Sequence, residues 1–355
     1  MADPHSSGAT ARPVGRTGNR RAAWTLVALA PIIAESTFST PITYAWLVLL
    51  WLPIYGGGIL LIRELVARSG RGWPSIVIMG IAYEILEDGI GLQALSSPHL
   101  YGAAEWGARV LGLNLPYWEM NAIYHVIFSA LIPILLTKAL FPASGNTPYL
   151  KNTGLVVTAV VTVLGVAVLR LAVPPTQDPG YTAPVPVLVG AGLAVAVLAV
   201  VALKIVPRRQ PRVRVARAVP RLWTLALIGG LGTIAVLGPL VPLRQFGAEQ
   251  PAFTHGWWVF APMGISLLLA VLAYFLIRHW SASEDWSLAH AVALATGAVV
   301  AHTLIAIASV AAGPVNQVGL GVMVVIEAVL GGLLARHRAK PRTGTPIGPP
   351  DTRTG

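Results

Sequence analysis

The sequence predicts an all-α fold: a polytopic transmembrane bundle of about ten helices, with both termini cytoplasmic. Three observations carry this reading. Of 355 residues, 55% are hydrophobic and only 11% charged, whereas soluble globular proteins carry roughly 25% charged residues. The apolar residues come in runs of roughly 20, the length a spanning helix needs. Finally, Lys and Arg fall on alternate loops, as the positive-inside rule requires. With the N-terminus in the cytoplasm, the inner segments hold 22 of the 25 basic residues, leaving only Arg109, Arg170 and Arg244 outside. The bilayer that this places around the chain is expected to be the plasma membrane.

The expected spans are 22–42, 44–62, 73–95, 116–140, 153–173, 184–206, 222–242, 257–277, 287–310 and 315–335. The tail before them, "MADPHSSGATARPVGRTGNRR" (1–21), is small, polar and basic and is expected to be disordered. No apolar core with a cleavage site follows it, so no removable signal is expected. The first span carries Glu35 amid Ser36, Thr37, Ser39 and Thr40. The second contains Pro53 and the run Gly56, Gly57, Gly58, then closes with Arg63 and Glu64. Consecutive glycines weaken a helix and admit a neighbouring backbone, so they mark either a broken helix beside a site or close helix packing.

The third span holds "AYEILEDGIG", with three acids within five residues. The fourth reads "YWEMNAIYHVIFSALIPILL", with Asn121, His125 and Ser129 four residues apart. The fifth to seventh spans are plainer, rich in Val, Ala, Leu and Gly. Arg170 is expected to snorkel from the outer end of its helix. The densest basic run, 204–221, either contacts anionic lipid or fixes topology. His302 and Glu327 are isolated polar groups in the last two spans. The Pro-, Gly- and Thr-rich tail 336–355 is expected to be disordered. The chain thus divides into a polar-site-bearing half, 22–140, and an apolar half, 141–335. No self-similarity supports an inverted repeat of five helices.

The candidate site comes from spans three and four. Glu84, Glu87 and Asp88 lie three and four residues apart and share one helix face. Lipid cannot solvate that face, so it points into the bundle. At about 1.5 Å per residue, Glu84 lies about 16 Å from the entry at Trp73, near mid-membrane. His125, on the antiparallel helix, reaches the same depth, and Asn121 the depth of Glu87 and Asp88. Close carboxylates in a low dielectric cannot all remain charged unless a cation neutralises them. This fits a proton relay, a cation site, or an acid–base pair with His125. Glu35, Asn121, Ser129 and the three glycines are expected to line the site. The bland alternative is a satisfied polar network that locks helices together.

Composition excludes much else. With no cysteine, there are no disulfides, thiolate zinc sites, iron–sulfur clusters or Cys nucleophile. No nucleotide-binding loop, dinucleotide fingerprint or haem motif occurs. Zinc is expected only if the protein is a hydrolase, with Glu87, His125 and His302 as candidate ligands. The net charge of +11 lies on the inner loops and does not call for nucleic acid.

The stretches "YGGGILLIRELVARSGRGWPSIVIMGIAYEILEDGI" and "IYHVIFSALIPILL" resemble an uncharacterised family of prokaryotic multi-pass membrane proteins over roughly residues 30–142. That likeness implies a shared membrane fold and no particular activity. Glu87-Asp88 followed by His125 is also similar in order and spacing to the CAAX- and bacteriocin-processing intramembrane proteases. Here, however, Leu92 stands where those proteins have Arg, and Asn121 replaces an aromatic residue. Their third motif has no counterpart unless His302 serves, so proteolysis is not carried over. The expected function is therefore proton- or cation-coupled transport of a small solute. The alternatives are an intramembrane enzyme or a non-catalytic membrane subunit.

Overall fold

The computed structural model describes residues 18–40, 42–210, 213–244 and 256–339. Ten helical segments follow one another: α1 (Arg20–Ser39), α2 (Ile42–Arg68), α3 (73–91), α4 (Leu115–Leu140), α5 (Asn152–Gln177), α6 (Val185–Ile205), α7 (Leu222–Leu240), α8 (Trp257–Trp280), α9 (Leu288–Ser309) and α10 (Gly313–Ala339). Among the described residues, all but α3 are long and apolar enough to cross a membrane. Helix α3 is apolar apart from Glu84, Glu87 and Asp88, and those acids set it apart from the others. The chain is an all-α bundle whose only sheet, among the described residues, is the hairpin β1 (Arg109–Val110) and β2 (Leu113–Asn114).

The helix limits follow local chemistry. Asn19 caps α1 by accepting the Ala22 amide, and Asn114 caps α4 by accepting that of Tyr117. Pro74, Pro116 and Pro186 sit in the first turns of α3, α4 and α6, where proline's missing N–H costs no hydrogen bond. Helix α2 runs on to Arg68, past the expected inner boundary. Helix α10 runs to Ala339, so the first residues of the expected tail are helical. The tail expected over 1–21 lies outside the described residues as far as residue 17, as does everything from residue 340.

Helices α1 to α6 pack together. Helix α2 lies against α1 and α5, α3 against α4 and α6, and α1 against α4. Helices α7 and α10 pack on α9, α8 packs on α7, and α9 also touches α1 and α4. The plainer helices α5 and α6 therefore complete the polar half. Glycines permit the tightest crossings. A Cβ on Gly165 of α5 would come within 2.6 Å of the Ile54 amide nitrogen on α2. Gly229 and Gly297 likewise set the α7 and α9 backbones directly on Leu294 and Ala226.

The helices also widen from α to π geometry at Ile32–Ser39 in α1, Leu52–Gly57 in α2, Ile85–Gly91 in α3 and His125–Leu131 in α4, and at the end of α6 over Val201–Ile205. Such stretches are rare and recur at functional sites. Beyond α3 the chain does not continue as helix to residue 95. Residues 92–114 fold instead into a cap, with Leu92, Leu95, Leu100 and Trp106 packed on Tyr117 and Leu169. The cap is tied to the 178–184 loop by Ala183 N–H to Gln93 (2.7 Å) and by Ser97 to Asp178 (2.5 Å).

Candidate functional site

Helices α3 and α4 turn their ionisable sides toward each other. Glu84, Glu87, Asp88 and His125 have relative exposures of 0%, 2%, 2% and 2%. The imidazole lies between two acids: Nδ1 is 3.6 Å from Glu87 Oε2, and Nε2 is 3.6 Å from Asp88 Oδ2. These are ion-pair separations, longer than a hydrogen bond. Nδ1 also lies 3.0 Å from Ser129 Oγ, one helical turn on. Glu84 is held differently, accepting the Trp118 indole N–H at 2.9 Å. Among the described residues, these acids form ion pairs only with His125. Two of the three carboxylates thus pair with one imidazole, and Glu84 has no basic partner among the described residues. Glu84 Oε1, Glu87 Oε2 and Asp88 Oδ2 are buried without a hydrogen-bond partner.

Three tyrosines wall this group. Their ring centroids lie 5.9 Å (Tyr55), 5.6 Å (Tyr83) and 4.7 Å (Tyr124) from that of His125. The Tyr124 ring stands edge-on to the imidazole, and its hydroxyl donates to the Ala34 carbonyl at 2.7 Å. That carbonyl, like the Ile33 carbonyl taken by the Thr37 hydroxyl, lies where α1 widens. Side chains supply hydrogen bonds there that buried backbone groups must find somewhere.

The remaining predicted residues are placed as follows. Glu35 is half-buried at the edge of the site, and its Oε2 accepts the hydroxyls of Ser39 (2.6 Å) and Thr40 (3.0 Å). The Asn121 amide turns back to its own helix and donates to the Tyr117 carbonyl at 3.0 Å. The three glycines do not break α2. Gly57 and Gly58 have helical φ values of −64° and −60°, and all three serve close packing. A Cβ on Gly56 would meet the Val27 carbonyl at 2.6 Å, one on Gly57 the Thr162 hydroxyl at 3.1 Å, and one on Gly58 the Tyr83 ring at 2.7 Å. Gly58 thereby makes room for a wall residue of the site, and none of the three meets the acids.

His302 is separate from the acid cluster. It is fully buried, stacked on Phe128 at 3.9 Å and on Phe38 at 4.6 Å, with Nδ1 3.1 Å from the Thr37 hydroxyl. Tyr124 contacts both histidine rings and lies between them in the aromatic chain. Glu87, His125 and His302 therefore do not gather as a ligand set. No group of three or more metal-binding side chains occurs among the described residues. Glu327 accepts the Thr303 hydroxyl at 2.9 and 3.0 Å, which links α10 to α9.

Arg63 and Glu64 form a second buried cluster at the far end of α2. Glu64 pairs with Arg63 at 2.6 Å and accepts the amides of Tyr149 and Leu150. Arg63 donates to the Ser144 and Thr147 carbonyls and lies over the Tyr149 ring. Burial holds the Tyr149 phenol above its ordinary range, while Arg63 pulls it back. Every strong contact of this cluster is internal, so it is a clamp on the 141–151 loop. The basic run 204–221 is likewise anchored: Arg71 donates to Val206, Arg214 to the Glu284 and Trp286 carbonyls, and Arg217 pairs with His279.

Sequence reasoning missed Tyr55, Tyr83, Tyr124 and Trp118. Their signal was present, because a buried aromatic with a polar tip needs a partner for that tip. Tyr83 and Tyr124 immediately precede residues of the acid and histidine stripes.

A family model described as an uncharacterized membrane protein family matches residues 25–339 of this chain. No curated protein and no solved structure matches it. The match takes in every helix that forms the acid–histidine site and nearly the whole bundle, so the chain belongs to this family of uncharacterized membrane proteins.

Proposed function

We propose that the α3–α4 cluster is a proton- or cation-binding site that couples ion movement to transport of a small solute. One observation carries this reading: three carboxylates are buried together, and among the described residues a single imidazole pairs with two of them, Glu87 and Asp88, while Glu84 has only the Trp118 indole. Charge so placed is balanced by bound protons or by a cation. His125 between Glu87 and Asp88, with Ser129 and the tyrosines close by, is suited to passing a proton between them. Wide helical turns on α1 to α4 give backbone that can return to regular helix when the site reorganises.

The basic residues support an orientation with both ends in the cytoplasm of the plasma membrane. Counting α3 as a span makes the number of crossings even. The exposed arginines of 204–221 then face the inner leaflet, where anionic lipid would attract them.

Solid-supported-membrane electrometry on proteoliposomes tests the reading before any solute is known. A pH jump or a Na⁺ or K⁺ jump is expected to give a transient current in the native protein. The triple variant Glu84→Gln/Glu87→Gln/Asp88→Asn is expected to lose it. Equal currents from folded native and triple-variant protein would overturn the proposal.

A further inference from the structure

A separate feature lies on α5, away from the acid cluster. At the end of this helix, a cavity of about 170 Å³ is lined by Arg170, Pro174, Pro175, Asp178, Gly180, Tyr181 and Thr182. Arg170 gives Nη2 to the Tyr181 carbonyl at 3.0 Å, while its Nη1 is buried with no partner. A guanidinium that lines a cavity and keeps one nitrogen without an acceptor favours an anionic oxygen there. Asp178 lines the same cavity, with one oxygen bonded to Ser97. Positive and negative groups are thus presented side by side.

Further along α5, a wholly apolar groove of about 270 Å³ is lined by Ala159, Val160, Val163 and Leu164. Val163 and Ala159 precede Arg170 by seven and eleven residues, which returns them to the same face of the helix. The groove therefore runs along α5 on the side that carries Arg170 and its cavity. Val163, Leu164 and Leu171 are 69%, 58% and 77% exposed, as expected of a surface that faces acyl chains.

We infer that this face of α5 binds one glycerophospholipid with a zwitterionic, ammonium-bearing headgroup, its phosphate at Arg170, its ammonium toward Asp178 and an acyl chain along the groove. Asp178 opposes a purely anionic headgroup, which selects the zwitterion. Because Asp178 also holds Ser97, the lipid would sit against the tie that fastens the 92–114 cap.

The test is native mass spectrometry of the full-length protein, delipidated in detergent and then titrated with phosphatidylethanolamine, phosphatidylglycerol or inorganic phosphate. The native protein is expected to retain one phosphatidylethanolamine in preference to phosphatidylglycerol, and inorganic phosphate is expected not to displace it. Arg170→Gln is expected to weaken retention about tenfold, the loss of one charge-assisted contact. Val163→Trp, which fills the exposed groove and leaves the cavity intact, is expected to weaken it as well. Retention unchanged in both variants would overturn the inference. So would displacement by inorganic phosphate with Val163→Trp silent, which would mean a free-anion site. Equal retention of the two lipids would remove the role given to Asp178.

Discussion

His125 is held between Glu87 and Asp88 at 3.6 Å from each, and its removal would leave the carboxylates facing one another. A unit-charge pair about 4 Å apart is worth about 4 kcal/mol at an effective dielectric of about 20, so the imidazole matters most when the acids are charged. His125→Ala is expected to cost about 3 kcal/mol near neutral pH. Thermal unfolding of native and variant protein checks this, and an unchanged unfolding temperature would contradict it. Glu64 offers the contrast. Glu64→Gln strands Arg63, which is only 4% exposed, and is expected to cost about 3–5 kcal/mol. Electrometric currents per folded molecule should persist, because Glu64 only clamps the 141–151 loop. The sequence made the acids and His125 legible because charge in an apolar run is costly wherever it occurs. It did not reveal that His302 lies between Phe38 and Phe128, since ring stacking between distant helices leaves no local pattern.

At the level of elements, the ten apolar segments and their limits could be read closely, because helix length is set by membrane thickness and composition. The wide turns in α1 to α4 could not, because π geometry changes no residue type. The glycines of α2 were visible, but their use was not: each accommodates a different neighbour. This separates their effects. Gly58→Ala drives a Cβ into the Tyr83 ring at 2.7 Å and is expected to reduce the electrometric current by shifting the tyrosine wall. Gly165→Ala meets α2 backbone at 2.6 Å, which cannot swing away, and is expected to cost about 1–3 kcal/mol in unfolding. Gly190→Ala on α6, where nothing lies within 4 Å, should change neither measurement. If Gly58→Ala left the current intact while Gly190→Ala abolished it, the packing assignment would be wrong.

For the whole molecule, the sequence carried the all-α membrane class, whereas the arrangement of helices depends on contacts between residues far apart in the chain. Helix α9, from the half expected to be apolar, contacts both α1 and α4 beside the candidate site. The proposed orientation can be tested cleanly because the chain has no native cysteine. In intact cells, Ser7→Cys and Thr352→Cys are expected to resist a membrane-impermeant thiol reagent, while Gly112→Cys in the β1–β2 turn is expected to react. Labelling at either terminus would reverse the proposed topology. The central claim is that the buried acids around His125 bind protons or a cation. Its most direct test is pH-difference infrared spectroscopy of the reconstituted protein in the protonated-carboxyl region. The account predicts a carboxyl band that appears as pH falls, shifts when Na⁺ or K⁺ competes if the site binds that cation, and is lost in Glu84→Gln/Glu87→Gln/Asp88→Asn. An identical band in that triple variant would contradict it.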